Sequence, residues 1–212
     1  MICPEYKTIF IHIPKTAGTS IECMFDFVEF DPETNTMKEM HRKAPGKHWN
    51  IEYIKQNYPE EFENYFKWTI VRNPWEKDWS FYNMMKYISR MKLSFKDFLK
   101  KIVEPAVSSE AETRTKREWH AKHVHSSQFS FIAINGENVM DEVIRFEDLN
   151  DGWRNICNQI NKPYKKMVHL RNPPKGSMQE DYDQECIDLV AKLRKKDIEY
   201  FKYDLPNQLE KS

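Results

Sequence analysis

The sequence predicts an α/β fold with a mostly parallel central sheet flanked by helices. Three observations predict it. Thr8 to Ile13 is a short run rich in Ile that ends at Pro14, and the residues beyond it carry apolar positions at 21, 24, 25 and 28, the spacing of a helix face. Phe66 to Val71 is a second strand, followed by Asn73 and Pro74, which suit the cap and first position of a helix. Glu142 to Phe146 and then Leu149 to Ile160 give strand and helix a third time. Strands that alternate with helices in this way pack as a parallel sheet, because each crossover helix carries the chain back to the same edge.

The remaining elements follow in chain order. Thr19 to Phe30 reads as the first helix, and residues 31 to 47, broken by Pro32, Pro45 and Gly46, as a loop. Asn50 to Tyr58 reads as a short helix stopped by Pro59, Pro74 to about Arg90 as a long one, and Ser94 to Val103 as another. Residues 104 to 127 are polar, mixed in charge and rich in histidine, which predicts a partly helical insertion. Phe129 to Ile134 reads as a further strand, Gly136 to Asn138 as a turn, and Lys166 to Leu170 as an extended piece. Arg171 to Met178 reads as a loop, and Tyr182 to Phe201 as one closing helix.

The chain has 212 residues, which fits a single domain over 1–212 with the insertion at about 104–127. Lys plus Arg and Asp plus Glu both total 33, so there is no basic excess of the kind that coats nucleic acid. Four cysteines without CxxC spacing predict reduced thiols. No apolar run reaches the ~20 residues that span a bilayer. The first residues lack the basic-then-apolar plan of a secretory signal. These features predict a cytoplasmic, soluble protein.

The chemistry concentrates in Pro14-Lys15-Thr16-Ala17-Gly18-Thr19-Ser20. A strand that enters a small-residue loop and then a helix offers backbone N–H groups and the positive end of a helix dipole to an anion. Gly18 permits close approach, Thr16, Thr19 and Ser20 add hydroxyls, and Lys15 adds a charge. An ordinary strand-to-helix turn is the alternative. The loop is not a Walker A element: its lysine precedes Gly18 and the first glycine is missing. At the second strand end, Arg72 could clamp a phosphate and Ser80 add a hydroxyl.

The stretch Ile9 to Ser20 resembles the 5′-phosphosulfate loop of sulfotransferases that use 3′-phosphoadenosine 5′-phosphosulfate (PAPS). It is most like the carbohydrate group that includes heparan 2-O-sulfotransferase-like enzymes. Val71, Arg72, Asn73, Pro74, Ser80 and Tyr82 are similar to that family's 3′-phosphate element. The resemblance implies a P-loop-like sulfotransferase fold, PAPS as co-substrate and adenosine 3′,5′-bisphosphate as product; no metal is expected, because a sulfuryl group carries less charge than a phosphoryl group. It implies that Lys15 contacts the phosphosulfate and stabilises the leaving phosphate, with Thr16, Ala17, Gly18, Thr19 and Ser20 around it. Arg72 and Ser80 inherit the 3′-phosphate role, and Lys175 and Ser177, in a late loop, join them. Where the family often has a basic residue this chain has Asp78, which would alter the pocket rim.

Sulfuryl transfer to an alcohol needs a base near the acceptor, and neutral histidine suits that task. His48, between the two phosphate elements, resembles the family's base; His41 is second choice. His12 reads as structural, and Glu22 and Glu52 as weaker candidates. His125 and Gln128 resemble a family element near the acceptor. His120, His123 and His125 lack nearby Cys or paired acids, so a zinc site is not expected. Asp197 and Phe201, in a terminal family pattern, read as packing. The acceptor implied is a saccharide or another hydroxylated small molecule, with no nucleic acid or membrane partner. A nucleotide-dependent kinase or NTPase is one alternative. A non-catalytic adenosine bisphosphate-binding protein is another.

Overall fold

The computed structural model describes residues 1–31, 36–39, 48–108, 125–167 and 176–210. These gather into two compact units, Met1–Arg72 with Ser130–Asn172, and Asn73–Phe129 with Pro173–Ser212.

The first unit is built on a four-stranded sheet. Its strands are β1 (Ile2–Cys3), β2 (Thr8–Ile11), β5 (Phe66–Val71) and β8 (Glu142–Arg145), in the order β1-β2-β5-β8. The edge strand β1 is antiparallel to β2, while β2, β5 and β8 run parallel. The predicted mostly parallel sheet is therefore present. Phe10 lies opposite Trp68, and Val71 opposite Arg145, so the parallel strands finish along one edge. Ligands of open α/β sheets bind beyond this carboxyl edge.

Every residue of β2 is buried, as expected of a strand covered on both faces. Phe10, Trp68, Ile70 and Ile144 form a core with Ile21 from helix α1 (Gly18–Met24), with Phe25 just beyond it, and with Trp153 and Ile156 from the helix that follows β8. The Phe10 and Trp68 rings lie 4.6 Å apart. Buried polar groups are satisfied within the sheet: Trp68 Nε1 donates to Thr8 Oγ1 at 3.0 Å, and Thr69 Oγ1 donates to the Ile11 carbonyl at 2.8 Å.

Two sequence expectations are corrected in this unit. The first helix stops at Met24, Asp26 turns the chain with left-handed backbone (φ 58°), and Val28–Asp31 forms β3, paired antiparallel with β4 (Thr36–Glu39). A hairpin thus replaces the end of the predicted helix and part of the predicted loop. Val28 and Phe30 alternate with acidic residues, the two-residue period of a strand, and that period prevails over the helical one. Pro59 does more than end helix α2 (Ile51–Asn57): it opens a further helix, α3 (Pro59–Asn64), at the position where a missing N–H does no harm.

The second unit is helical. Helix α4 spans Pro74–Ser89, capped by Asn73, whose side chain accepts from the Trp75 N–H at 3.1 Å, and closed by left-handed Arg90. Helix α5 (Phe95–Phe98) runs through a π-turn at Leu99–Val103 into α6 (Glu104–Ser108). Trp75, Trp79, Tyr82, Phe95 and Phe98 pack with Met178, Tyr182, Ile187 and Val190.

The predicted strand Phe129–Ile134 is mostly helical: α7 covers Gln128–Ile132 and passes from the second unit into the first. Only Ala133–Ile134 is strand, β6, and it forms a hairpin with β7 (Glu137–Asn138) through left-handed Asn135 and Gly136. The reason lies far away in sequence. The Asp197 carboxylate accepts from the Gln128 and Phe129 N–H groups, the first donors of α7. The helix after β8, predicted at Leu149 to Ile160, is α8 (Leu149–Gln159). The closing helix is divided. Short α9 (Met178–Asp181) precedes α10 (Gln184–Leu193), which Asp183 caps by accepting from the Cys186 N–H at 2.8 Å. Arg194 then leaves helical geometry before α11 (Lys195–Phe201). No helix among the described residues is long and apolar enough to cross a membrane.

Candidate active site

The phosphate-type loop hangs from the carboxyl end of β2. His12 and Ile13 follow the strand and are buried, and residues 14–17 turn into α1. Lys15 (φ 71°) and Ala17 (φ 66°) both adopt left-handed backbone, which is uncommon without glycine. Such turns aim successive N–H groups into one concavity, an anion-binding arrangement. Thr16 is buried and its hydroxyl donates to the Ile13 carbonyl at 2.9 Å, so this side chain braces the loop. Ser20 is buried at the first turn of α1, whereas Lys15 and Thr19 are half-buried.

Gly18 is required here by close approach. A Cβ on it would lie 2.0 Å from His12 Cδ2 and 2.1 Å from His12 Nε2. The imidazole of His12 therefore occupies the space a side chain would fill. Its Nδ1 lies 2.7 Å from Glu22 Oε1, and both side chains are buried. A buried carboxylate needs such a donor, because stripping it of water is costly.

His48 meets this pair from the other side. It stands just before α2, whose cap Asn50 accepts from the Tyr53 N–H, and its own backbone is left-handed (φ 65°). His48 Nδ1 lies 2.9 Å from the His12 carbonyl, and the two imidazole rings are 4.3 Å apart. A carbonyl oxygen can only accept, so Nδ1 carries the hydrogen. In the neutral ring Nε2 then bears the lone pair, the tautomer a general base needs.

Arg72 follows β5 on the same edge of the sheet. It is buried, with its guanidinium 4.2 Å from the Phe146 ring centroid beyond the end of β8. A cation over an aromatic face is attracted by the ring, which helps to hold the guanidinium in place.

In the second unit, Ser80 is buried on α4. The Ser177 hydroxyl accepts from the Glu180 N–H and donates to Gln179 Oε1, so it caps α9. His125 and Gln128 are buried too. The His125 carbonyl accepts from Arg194, its ring stands edge-on to Phe81, and burial lowers its pKa to about 3. Asp78, expected on a pocket rim, is buried and accepts a two-pronged bond from Arg194 Nε and a terminal guanidinium nitrogen, both at 2.9 Å. Burial pushes its carboxyl upward, but Arg194 and Lys77 outweigh this and hold it below the usual range. Phe201 is a buried packing residue, whereas Asp197, expected to pack, is buried but accepts hydrogen bonds from Ser127 Oγ and from the Gln128 and Phe129 N–H groups. His41, His120, His123 and Lys175 lie outside the described residues. Among the described residues no group of three or more His, Cys, Asp or Glu could hold a metal ion.

The first unit thus brings together Lys15, Thr16, Ala17, Gly18, Thr19, Ser20 and His48, and it adds His12 and Glu22, which the sequence reading ranked low.

A mostly parallel sheet flanked by helices, with a tight loop, an arginine and a histidine along its carboxyl edge, is an α/β fold of the kind that binds ligands beyond that edge. The chain belongs to the Sulfotransferase family, whose model matches residues 1–204 and so runs across both units. It is therefore a transferase of the sulfotransferase class. No match to the chain was found among curated proteins or among solved structures.

Proposed function

We propose that the protein transfers a sulfuryl group from PAPS to a hydroxyl of a carbohydrate or similar small acceptor, by in-line displacement. The observation that carries this reading is the orientation of His48, whose Nδ1 is held by the carbonyl that leads into the anion loop. Family membership supports sulfuryl transfer in general. The loop's left-handed turns at Lys15 and Ala17 suit a phosphosulfate. The resemblance to the heparan 2-O-sulfotransferase-like group points to a saccharide acceptor. One family model spanning both units supports reading the chain as one sulfotransferase domain.

PAPS supplies the sulfuryl group and leaves as adenosine 3′,5′-bisphosphate. His48 Nε2 takes the proton from the acceptor hydroxyl as that oxygen bonds to sulfur. The bond from sulfur to the bridging phosphate oxygen breaks, and its electrons stay on the leaving phosphate. Lys15 and the amides of Thr16 to Ser20 stabilise the charge that grows there. Arg72, Ser80 and Lys175 are assigned to the 3′-phosphate. Ser177 is assigned to it through its backbone, its hydroxyl being engaged as a cap. His41 is the second candidate for the base. His125 and Gln128, both buried in the second unit, are kept as the weaker candidates for contact with the acceptor.

Calorimetric titration with adenosine 3′,5′-bisphosphate and with ATP tests the nucleotide assignment. The proposal expects the bisphosphate to bind at least about tenfold more tightly than ATP, a difference of 1.4 kcal/mol. Arg72→Ala is expected to erase that preference. Equal affinities in the unaltered protein would remove the case for PAPS.

A further inference from the structure

We propose that Glu22 and His12 are positioning residues that set the tautomer and the charge environment of His48. The inference rests on the reading of His48 as the base. Three contacts converge on one imidazole. Its Nδ1 donates to Glu22, its Cδ2–Nε2 edge fills the space over Gly18, and its ring lies 4.3 Å from that of His48. Its own carbonyl accepts from His48 Nδ1. A shift of His12 would therefore move the loop and the base together.

The buried acid gives the pair an electrostatic role as well as a steric one. When His48 takes a proton it becomes an imidazolium in contact with a second imidazole. Two charged rings at this separation repel, so His12 must stay neutral at that moment. The Glu22 carboxylate, bonded to a neutral His12, then places a net negative charge behind the new imidazolium and favours its formation. The titratable groups on the segments that meet here are Lys15 in the loop, His12 after β2, Glu22 and Cys23 on α1, Glu52, Tyr53 and Lys55 on α2, and the buried Met1 amino group, which donates to the Phe10 carbonyl of β2 and interacts electrostatically with Glu22. Glu22 is the acid among them that is both buried and bonded to the ring touching His48.

The test compares Glu22→Gln, Glu22→Asp and His48→Ala. Glutamine keeps an oxygen for His12 Nδ1 and removes only the charge. Glu22→Gln is expected to lower kcat by about tenfold with the PAPS KM within about twofold of wild type. The acid limb of its kcat profile should move to lower pH, as should the His48 titration followed by NMR of histidine-labelled protein. Glu22→Asp keeps the charge and is expected to recover part of kcat and to return the limb toward its original position. A purely structural pair would change thermal stability and leave limb and titration in place, which overturns the inference. If His48→Ala is inactive and Glu22→Gln has the wild-type profile, the inference alone fails. If His48→Ala turns over at the wild-type rate, the base assignment fails and takes the inference with it.

Discussion

A methyl group on residue 18 would come within 2.0 Å of the His12 ring, and that ring is fixed by Glu22 on one side and His48 on another. Gly18→Ala is therefore expected to destabilise the protein by about 1–3 kcal/mol, the usual range for overpacking, and to weaken adenosine 3′,5′-bisphosphate binding. Thermal melting and calorimetry check the two effects. Lys15→Ala should act differently. It removes a charge from a half-buried site, so the melting temperature should barely move while kcat falls by about 100-fold or more. The anion loop was legible in the sequence because its chemistry is contiguous: strand, Pro14, Lys15, small residues, helix. The Glu22–His12 pair was not, since its meaning depends on how α1 turns back along β2.

Among the elements, α4 was read almost to the residue, from Asn73 and Pro74 at its start to Arg90 at its end. Phe66–Val71 is legible because a contiguous run stops at Arg72, Asn73 and Pro74, although its ladder partners in β2 and β8 are distant in sequence. The errors at Phe129 to Ile134 and at Tyr182 to Phe201 share one cause. Asp197 caps α7 from 69 residues away, and Arg194 breaks the last helix while bonding Asp78 from 116 residues away. Local propensity cannot anticipate partners at such separations. The Asp78–Arg194 pair ties α4 to the junction of α10 and α11, so Asp78→Ala should cost about 3–5 kcal/mol, the penalty for leaving a buried charge alone. Chemical denaturation measures it. A double change to apolar residues of similar volume should recover much of that loss.

For the whole molecule, the pH dependence of stability follows from His125 and Asp78. The His125 pKa falls from an ordinary value near ~6.5 to about 3 on folding, because burial disfavours the charged ring. The unfolded chain therefore binds a proton that the folded chain excludes between those values. Stability should be complete above about pH 6.5 and fall as pH drops toward 3, with a slope of at most about 1.4 kcal/mol per unit from this one group. Asp78 acts lower. Its folded pKa is depressed, so its contribution is present above its unfolded value and is lost as pH falls through the folded one. His125→Phe keeps an aromatic ring against Phe81 and leaves the His125 carbonyl position available to Arg194. This variant should flatten the slope between pH 6.5 and 4 in denaturation curves taken across that range.

The α/β class, the parallel sheet and the family were legible at this scale because three strand–helix repeats and two contiguous motifs specify them. The acceptor was not, since no contiguous motif encodes it. The central claim is the transfer itself. Incubation with sulfur-labelled PAPS and a panel of glycans and small alcohols tests it directly. Label is expected on at least one hydroxylated acceptor, lost in Lys15→Ala and in His48→Ala, with nucleotide binding kept in the latter. No label on any acceptor together with no measurable PAPS affinity would contradict it.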